Sequence, residues 1–264
     1  MNDLNNSYPP AALRALNILE LICKSNKPLS PNEIAMQLKL PLASVYRLVH
    51  LLQDKLYIMT DATTSNKYIA GFKILELAHN VNNSTDISVV AKPVMRSIAE
   101  KTNQACTLTV VHDDGIMVID QALPSKPVSI LSALREKLPV NVTSNGKVLT
   151  AFMTMEEQET YLKKAWRFLP SNTANTITNL EQFRQEINLV KERKYATDFE
   201  EYALGIGFLS VPVYNFGGQV IASLGITGHI TDYNNRSKFN YMLNELIKGG
   251  KEISANLGYK LKTL

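Results

Sequence analysis

The first 60 residues carry three short helical patterns that are separated by polar breaks. Residues 10–24 predict a helix with one apolar face. The residues that form this face are Leu13, Leu16, Ile18, Leu19 and Ile22. A second helix is predicted to begin at Pro31, because Ser30 and Glu33 have the spacing of a capping box and proline is favoured at the first helical position.

The third helical pattern covers residues 42–55 and has two chemically different faces. Its apolar positions, which we expect to be buried, are Val45, Leu48, Val49, Leu51 and Leu52. Its opposite face carries Ser44, Tyr46, Arg47 and His50. Two short helices joined by a tight break indicate a helix-turn-helix, whose second helix enters the major groove of DNA with its N-terminal end.

The residue types on the polar face suit contact with DNA. Ala43 and Ser44 are small enough to allow close approach at the start of the helix. Arg47 can pair with a guanine edge or a phosphate, and Tyr46 and His50 can reach the DNA backbone. We therefore predict that these five residues contact DNA.

A β-hairpin is predicted directly after the third helix. The β-prone runs 56–59 and 67–70 flank a polar, turn-like stretch, which is the arrangement of the wing in a winged helix-turn-helix. Lys67 can touch a phosphate from this hairpin. We add Lys67, together with Ser30 at the start of the second helix, to the predicted DNA contacts.

The chain is predicted to form two domains. We assign residues 10–71 to the winged helix-turn-helix, 72–84 to a linker helix and 85–264 to a second domain. The predicted helices of the second domain cover 86–102, 146–153, 154–167, 179–194 and 232–257. Its predicted strands cover 106–111, 116–121, 128–132, 208–213 and 219–226. The Asp-Gly pair at 114–115 is a hairpin signal, so this pattern indicates an α+β fold with a mostly antiparallel sheet.

Composition adds few constraints. The chain has 264 residues, of which 45% are hydrophobic and 20% charged, and a net charge of +4 permits nucleic-acid binding without arguing for it. The polar N-terminus and the absence of any run of 18 apolar residues lead us to expect a cytoplasmic protein without a membrane span. Cys23 and Cys106 are expected to be buried free thiols. Because His112 and His229 lack Cys or His partners at ligand spacing, we expect no metal site. We also expect no cofactor and no catalytic residue, since no nucleophile with a base and no nucleotide-binding loop is evident.

Over about residues 10–257 the sequence resembles the IclR-type bacterial transcriptional regulators. In the first domain the resemblance rests on ALRALNILELI (12–22), LPLASVYRLV (40–49) and KYIAGFKILELA (67–78). In the second domain it rests on the blocks 88–111, 138–152 and 198–228. The pair Gly146-Lys147 and the Glu200-Glu201…Gly205…Val211-Pro212-Val213 block are specific in combination.

The resemblance implies a GAF-like α+β sensor domain that binds a small metabolite. It also implies a homodimer or tetramer that binds palindromic double-stranded DNA, and we expect a repressor. The effector expected from the family is an organic acid, a sugar acid or an aromatic compound. The family's effector site maps here onto Ser144, Asn145, Asp198, Phe208, Gly225 and Thr227. Backbone amides at the start of the helix near residue 146 would suit a carboxylate.

Three positions of this site depart from the family's pattern. Phe208 stands where the family frequently has cysteine, Gly225 where it has a small hydroxyl residue, and Asn141 replaces histidine in the usual Leu-His-Ala run. These departures favour a ligand whose shape differs from that of a small ketoacid. They also leave open a constitutive DNA binder whose sensor domain only dimerises.

A metabolite-binding enzyme whose N-terminal helices only dimerise is a further alternative. It is the weaker one, because the second domain offers no nucleophile with a base and no nucleotide-binding loop. The run 248–251 (KGGK) likewise lacks the pattern of a phosphate loop, and we expect a weak or kinked point in the last helix there.

Overall fold

The chain divides into two compact units, residues 1–85 and 86–264. The residues that the computed structural model describes are 9–64, 66–77, 86–125, 134–166 and 169–260. Two predicted segments lie outside the described residues: the strand over 128–132 and the part of the linker helix over 78–84.

The first unit follows the predicted order of helices and strands. Its elements are α1 (Pro10–Lys24), α2 (Pro31–Leu38), α3 (Leu42–Asp54), β1 (Ile58–Thr60), β2 (Tyr68–Ala70) and the described part of α4, residues 72–77. The predicted capping box at α2 is confirmed. The Glu33 backbone N–H donates to Ser30 Oγ, and the Ser30 N–H donates to Glu33 Oε2 at 2.7 Å. These reciprocal bonds fix the start of α2.

One apolar core holds the first unit together. Its buried residues are Ile18, Ile22, Leu29, Ile34, Val45, Val49, Leu52, Ile58 and Tyr68. Two leucines predicted to be buried are exposed instead: Leu16 by 59% and Leu51 by 49%. Each lies two residues, hence about 200° of helical rotation, from the buried Ile18 or Val49. Cys23, expected to be buried, is also exposed, since it follows the last buried residue of α1.

The wing contains a third extended segment that the sequence pattern did not predict. β1 and β2 pair antiparallel, with Ile58 opposite Ala70. Leu29 then pairs with Tyr68, its N–H donating to the Tyr68 carbonyl at 3.0 Å and its carbonyl accepting from the Tyr68 N–H at 2.8 Å. The wing is thereby joined to the loop that precedes α2.

The second unit is built on one six-stranded sheet. Its strands are β3 (Ala105–His112), β4 (Gly115–Ala122), β5 (Lys137–Leu138), β6 (Ala196–Phe199), β7 (Ile206–Tyr214) and β8 (Val220–His229). They lie in the order β5-β4-β3-β8-β7-β6, and each neighbouring pair is antiparallel. This confirms the predicted α+β fold, although the prediction missed the short strands β5 and β6.

Helices cover both faces of this sheet. They are α5 (Ile87–Thr102), α6 (Ser144–Ala151), α7 (Met155–Ala165), α8 (Leu180–Arg193), α9 (Ile230–Asn234) and α10 (Arg236–Asn256). α5 and α10 pack on one face, against residues such as Cys106, Leu209 and Leu224. α6 lies on the opposite face and shares a second apolar cluster with α7 and α8.

The two glycines of α10 have a packing role. α10 is an unbroken helix across Gly249 and Gly250, where we expected a weak or kinked point. A Cβ at Gly249 would lie 2.4 Å from Ile98 Cδ1 of α5, and one at Gly250 would lie 2.9 Å from Val211 Cγ2 of β7. The glycines therefore allow close approach of α10 to both elements.

Candidate DNA-binding and effector sites

The predicted DNA contacts of α3 lie on the side of the helix that is turned away from its core. Val45 and Val49 are fully buried and anchor the helix. Of the predicted contacts on α3, the exposed ones are Ala43, Tyr46, Arg47 and His50, and Ser44 is half-buried. Arg47 Nε donates to the Ala43 carbonyl at 3.3 Å, so its side chain folds back along the N-terminal half of α3. This surface presents a cation, a phenol and an imidazole together.

Ser30 and Lys67 both lie at the start of α2, where each contacts Glu33. The Ser30 hydroxyl belongs to the capping box, and Lys67 Nζ lies 3.4 Å from Glu33 Oε2. The pKa of Glu33 is lowered to about 2, chiefly by the hydrogen bonds from Ser30 and further by Lys67. Lys67 keeps 34% of its side chain exposed, so a phosphate would compete with Glu33 for it.

Three of the six predicted effector residues form a row across the sheet. Asp198 on β6 pairs with Phe208 on β7, and Phe208 pairs with Thr227 on β8. All three are buried. Asp198 Oδ1 accepts from the Glu201 N–H at 2.6 Å, whereas Asp198 Oδ2 and Thr227 Oγ1 are buried and have no partner at hydrogen-bond distance among the described residues. Buried polar atoms without partners are uncommon and costly, so this row has unused hydrogen-bonding capacity.

The other three predicted effector residues meet in a closed hydrogen-bonded cluster. Asn145 Oδ1 accepts from Ser210 Oγ and from Ser223 Oγ, both at 2.9 Å. Ser144 Oγ lies 2.6 Å from Ser210 Oγ. Gly225 faces this cluster, and a Cβ there would lie 2.7 Å from both Asn145 Oδ1 and Ser210 Oγ. The space of the family's small hydroxyl side chain is thus taken by the Asn145 amide.

A buried ion pair lies next to the row of Asp198. Lys147 Nζ donates to Glu201 Oε1 at 2.6 Å and to the Thr197 carbonyl at 2.9 Å. Burial raises the pKa of Glu201, against the opposing effect of Lys147. Burial likewise raises the pKa of Asp198 to about 7, although the N–H of Glu201 works in the opposite direction.

The sequence prediction missed four residues of this site. Lys147 and Glu201 stood in the motifs that carried the family resemblance, which was the available signal for them. Ser210 and Ser223 had a weaker signal, since each is a small polar residue inside an otherwise apolar strand. Asn141, which departs from the family's pattern, donates from Nδ2 to the carbonyls of Pro170 (3.0 Å) and Ile177 (2.9 Å).

Two cavities of the second unit lie away from these residues. One of about 340 Å³ lies between β7 and α10, and one of about 750 Å³ lies beside the start of α7. Neither cavity is lined by any of the six predicted effector residues. These two cavities are therefore distinct from the candidate effector site.

Two protein-family models match the chain. The bacterial transcriptional regulator IclR C-terminal model matches residues 79–255, and the IclR helix-turn-helix domain model matches residues 11–62. The chain belongs to the IclR family. It is therefore a DNA-binding transcription regulator with a C-terminal ligand-binding domain, and its homologues are regulators rather than enzymes.

Individual relatives are distant but cover most of the chain. The regulator XynR of Escherichia coli is 28% identical over 247 residues, 93% of this chain and 96% of its own. The repressor AllR of the same organism is 23% identical over 215 residues, 81% of this chain and 78% of its own. The crystal structure of the Agobacterium tumefaciens repressor BlcR shares the fold, with a TM-score of 0.76 and 22% identity over 95% of this chain and 97% of that one. Within the described residues, no helix is long and apolar enough to span a bilayer.

Proposed function

We propose that this regulator is a repressor whose binding to a palindromic operator is controlled by a small molecule bound in its second unit. The observation that carries the proposal is the exposed face of α3. A helix held by Val45 and Val49 on a buried core presents Tyr46 and Arg47 outward from its first half and His50 from just beyond its midpoint. A recognition helix needs this arrangement to reach base edges and phosphates.

The proposed domain boundaries are those of the sequence analysis, with residues 10–71 binding DNA, 72–84 linking and 85–264 sensing. We propose a homodimer or a tetramer, because a palindromic operator presents two equivalent half-sites to a symmetric protein. The repressor assignment draws support from the relative AllR, which carries that name.

A footprint and a reporter test this proposal. The footprint uses the purified protein on the DNA upstream of its own gene, and we expect two symmetric protected half-sites about one helical turn or a multiple apart. Expression of the chain should then lower transcription from a reporter driven by the same DNA. Absence of a footprint would overturn DNA binding, and raised transcription would overturn repression.

A second candidate function is a constitutive DNA binder whose second unit only dimerises. The cluster of Ser144, Asn145, Ser210 and Ser223 favours it, because the serine hydroxyls and the Asn145 amide oxygen bond one another without a ligand. The unpartnered oxygens of the Asp198 row favour ligand binding instead. A thermal-unfolding screen with small organic compounds separates the two, because a true effector raises the midpoint as its concentration passes the dissociation constant.

A further inference from the structure

The cavity of about 340 Å³ between β7 and α10 lies where the sheet loses its edge strand. β6 pairs with residues 207–210 of β7, whereas β8 accompanies β7 on its other side as far as Tyr214. Among the described residues, the end of β7 therefore has no strand beside it on the β6 side. α10 covers this edge instead, and the Tyr214 N–H donates to Ser254 Oγ of that helix at 2.9 Å.

Most of the side chains that line the cavity are apolar. They include Val211 and Pro212 of β7 and Ile247 of α10. Tyr214 and Tyr259 add an aromatic wall, because their rings stack with centroids 4.8 Å apart. A volume of about 340 Å³ is at the small end of the range for ligand pockets, which favours an apolar body of one or two rings.

Two lysines that line the cavity keep their charge unpaired. Lys194 and Lys251 are both exposed, and neither forms a salt bridge with a described residue. The Lys194 ammonium lies 5.0 Å from the centroid of the Phe152 ring, a contact that leaves its charge uncompensated. Lys248, one turn before Lys251 on α10, differs in that it is paired with Glu245.

The other polar groups of the cavity do not oppose an anion. None of the described residues that line it is acidic. Ser254 has committed its hydroxyl proton to the Gly250 carbonyl at 2.6 Å. Since ammonium groups only donate hydrogen bonds, the group that complements Lys194 and Lys251 is an anionic acceptor. An exposed ion pair contributes little by itself, so the apolar body and both lysines would act together.

We propose that this cavity is a second ligand site, which takes a small amphipathic anion with its rings between β7 and α10 and its anionic group at Lys194 and Lys251. The site shares no residue with the candidate effector site. The inference therefore goes beyond the proposed function and does not depend on it.

Three naphthalene compounds test the proposal on the full-length protein. 1-Naphthoate, 1-naphthamide and 1-naphthylmethylamine share the ring system and carry a negative, a neutral and a positive head group. Isothermal titration calorimetry should show one 1-naphthoate bound per chain, with a dissociation constant below about 1 mM. The amide should bind at least about tenfold more weakly and the amine more weakly still, because neither complements two ammonium groups.

Double variants of exposed lysines locate the anionic group. Lys194→Met/Lys251→Met should weaken 1-naphthoate binding at least about tenfold and leave 1-naphthamide binding unchanged. Lys194→Arg/Lys251→Arg keeps both charges and should bind 1-naphthoate within about threefold of the wild type. Lys191→Met/Lys248→Met is the matched control, since it removes two lysines of α8 and α10 that do not line the cavity. It should change the affinity less than about twofold.

A variant of the candidate effector site separates the two sites. Asp198→Asn should leave 1-naphthoate binding unchanged, because Asp198 does not line this cavity. Binding that is lost in Asp198→Asn but kept in Lys194→Met/Lys251→Met would overturn the inference. Equal affinities for the acid and the amide, equal losses in the methionine variant and its matched control, or no binding of 1-naphthoate at about 5 mM would also overturn it.

Discussion

Lys147 offers the sharpest stability test of the second unit. Its side chain is 2% exposed, and its ammonium group is the partner of the Glu201 carboxylate, whose side chain is 12% exposed. Lys147→Met keeps most of the apolar stem but removes the charge. Because the Glu201 carboxylate is then buried without its cation, we expect a loss of about 3–5 kcal/mol in unfolding free energy.

A double variant separates the charge effect from a packing effect. In Lys147→Met/Glu201→Gln the uncompensated carboxylate is gone as well, so the double variant should be more stable than Lys147→Met alone. A cavity or misfit left by methionine would persist in both proteins and would give no such recovery.

The readout uses the single tryptophan of the chain. Trp166 lies in the second unit with its ring centroid 5.2 Å from that of Phe183, so its fluorescence in a urea titration reports unfolding of that unit. Lys163→Met, an exposed lysine on α7, is the matched control and should change stability by less than about 0.5 kcal/mol. A loss below about 1 kcal/mol for Lys147→Met, or no recovery in the double variant, would refute the reasoning.

Three further predictions address single residues. Burial raises the pKa of Asp198 from its ordinary value of 3.8 to about 7. Between these two pKa values the folded state keeps a proton that the unfolded chain has lost. The unfolding free energy of the wild type should therefore fall by about 3 kcal/mol relative to that of Asp198→Asn between pH 5 and pH 8. Parallel curves of unfolding free energy against pH for the two proteins would contradict this. Gly146→Ala should lower the unfolding free energy by at least about 2 kcal/mol, because the new Cβ would lie 2.3 Å from the Val140 carbonyl oxygen. Gly217→Ala is the control: the atom nearest to its Cβ would be 3.4 Å away, so the same urea titration should show almost no change. Lys67→Met should reduce the slope of log affinity against log salt for DNA by about 1, and an unchanged slope would argue against a phosphate contact.

The sequence predicted the elements of the fold well where local signals were strong. The capping box of Ser30 and Glu33 and the hairpin turn after β3 act through neighbouring residues, so a pattern in the chain reveals them. The turn itself is formed by Asp113 and Asp114, one residue before the predicted Asp-Gly pair, because Gly115 already pairs with His112. The pairing of Leu29 with Tyr68 joins residues 39 positions apart in the chain, and no local pattern marks it. The short strands β5 and β6 were missed for the same reason, since their partners come from elsewhere in the sheet.

The sequence could predict which positions form the candidate effector site, but not which hydrogen bonds their side chains make. The family's pattern indicated Asp198, Phe208 and Thr227 as effector residues, and the strand register places the three in one row across the sheet. What the pattern could not show is that the Asn145 amide reaches Ser210 across the layer between α6 and the sheet. That contact depends on the packing of α6 on the sheet. It shows that Gly225 leaves room for the Asn145 amide, which the sequence comparison could describe only as the loss of a hydroxyl group.

The most direct test of the account is DNA binding by variants of α3. Fluorescence anisotropy should compare a duplex from upstream of the protein's gene with a shuffled duplex of the same composition. We expect the wild type to prefer its own duplex at least about 1,000-fold, Arg47→Ala to lose about 5- to 150-fold in affinity, and Lys24→Ala on α1 to lose less than about twofold. Equal affinity for both duplexes, or equal losses in Arg47→Ala and Lys24→Ala, would contradict recognition of DNA by the exposed face of α3.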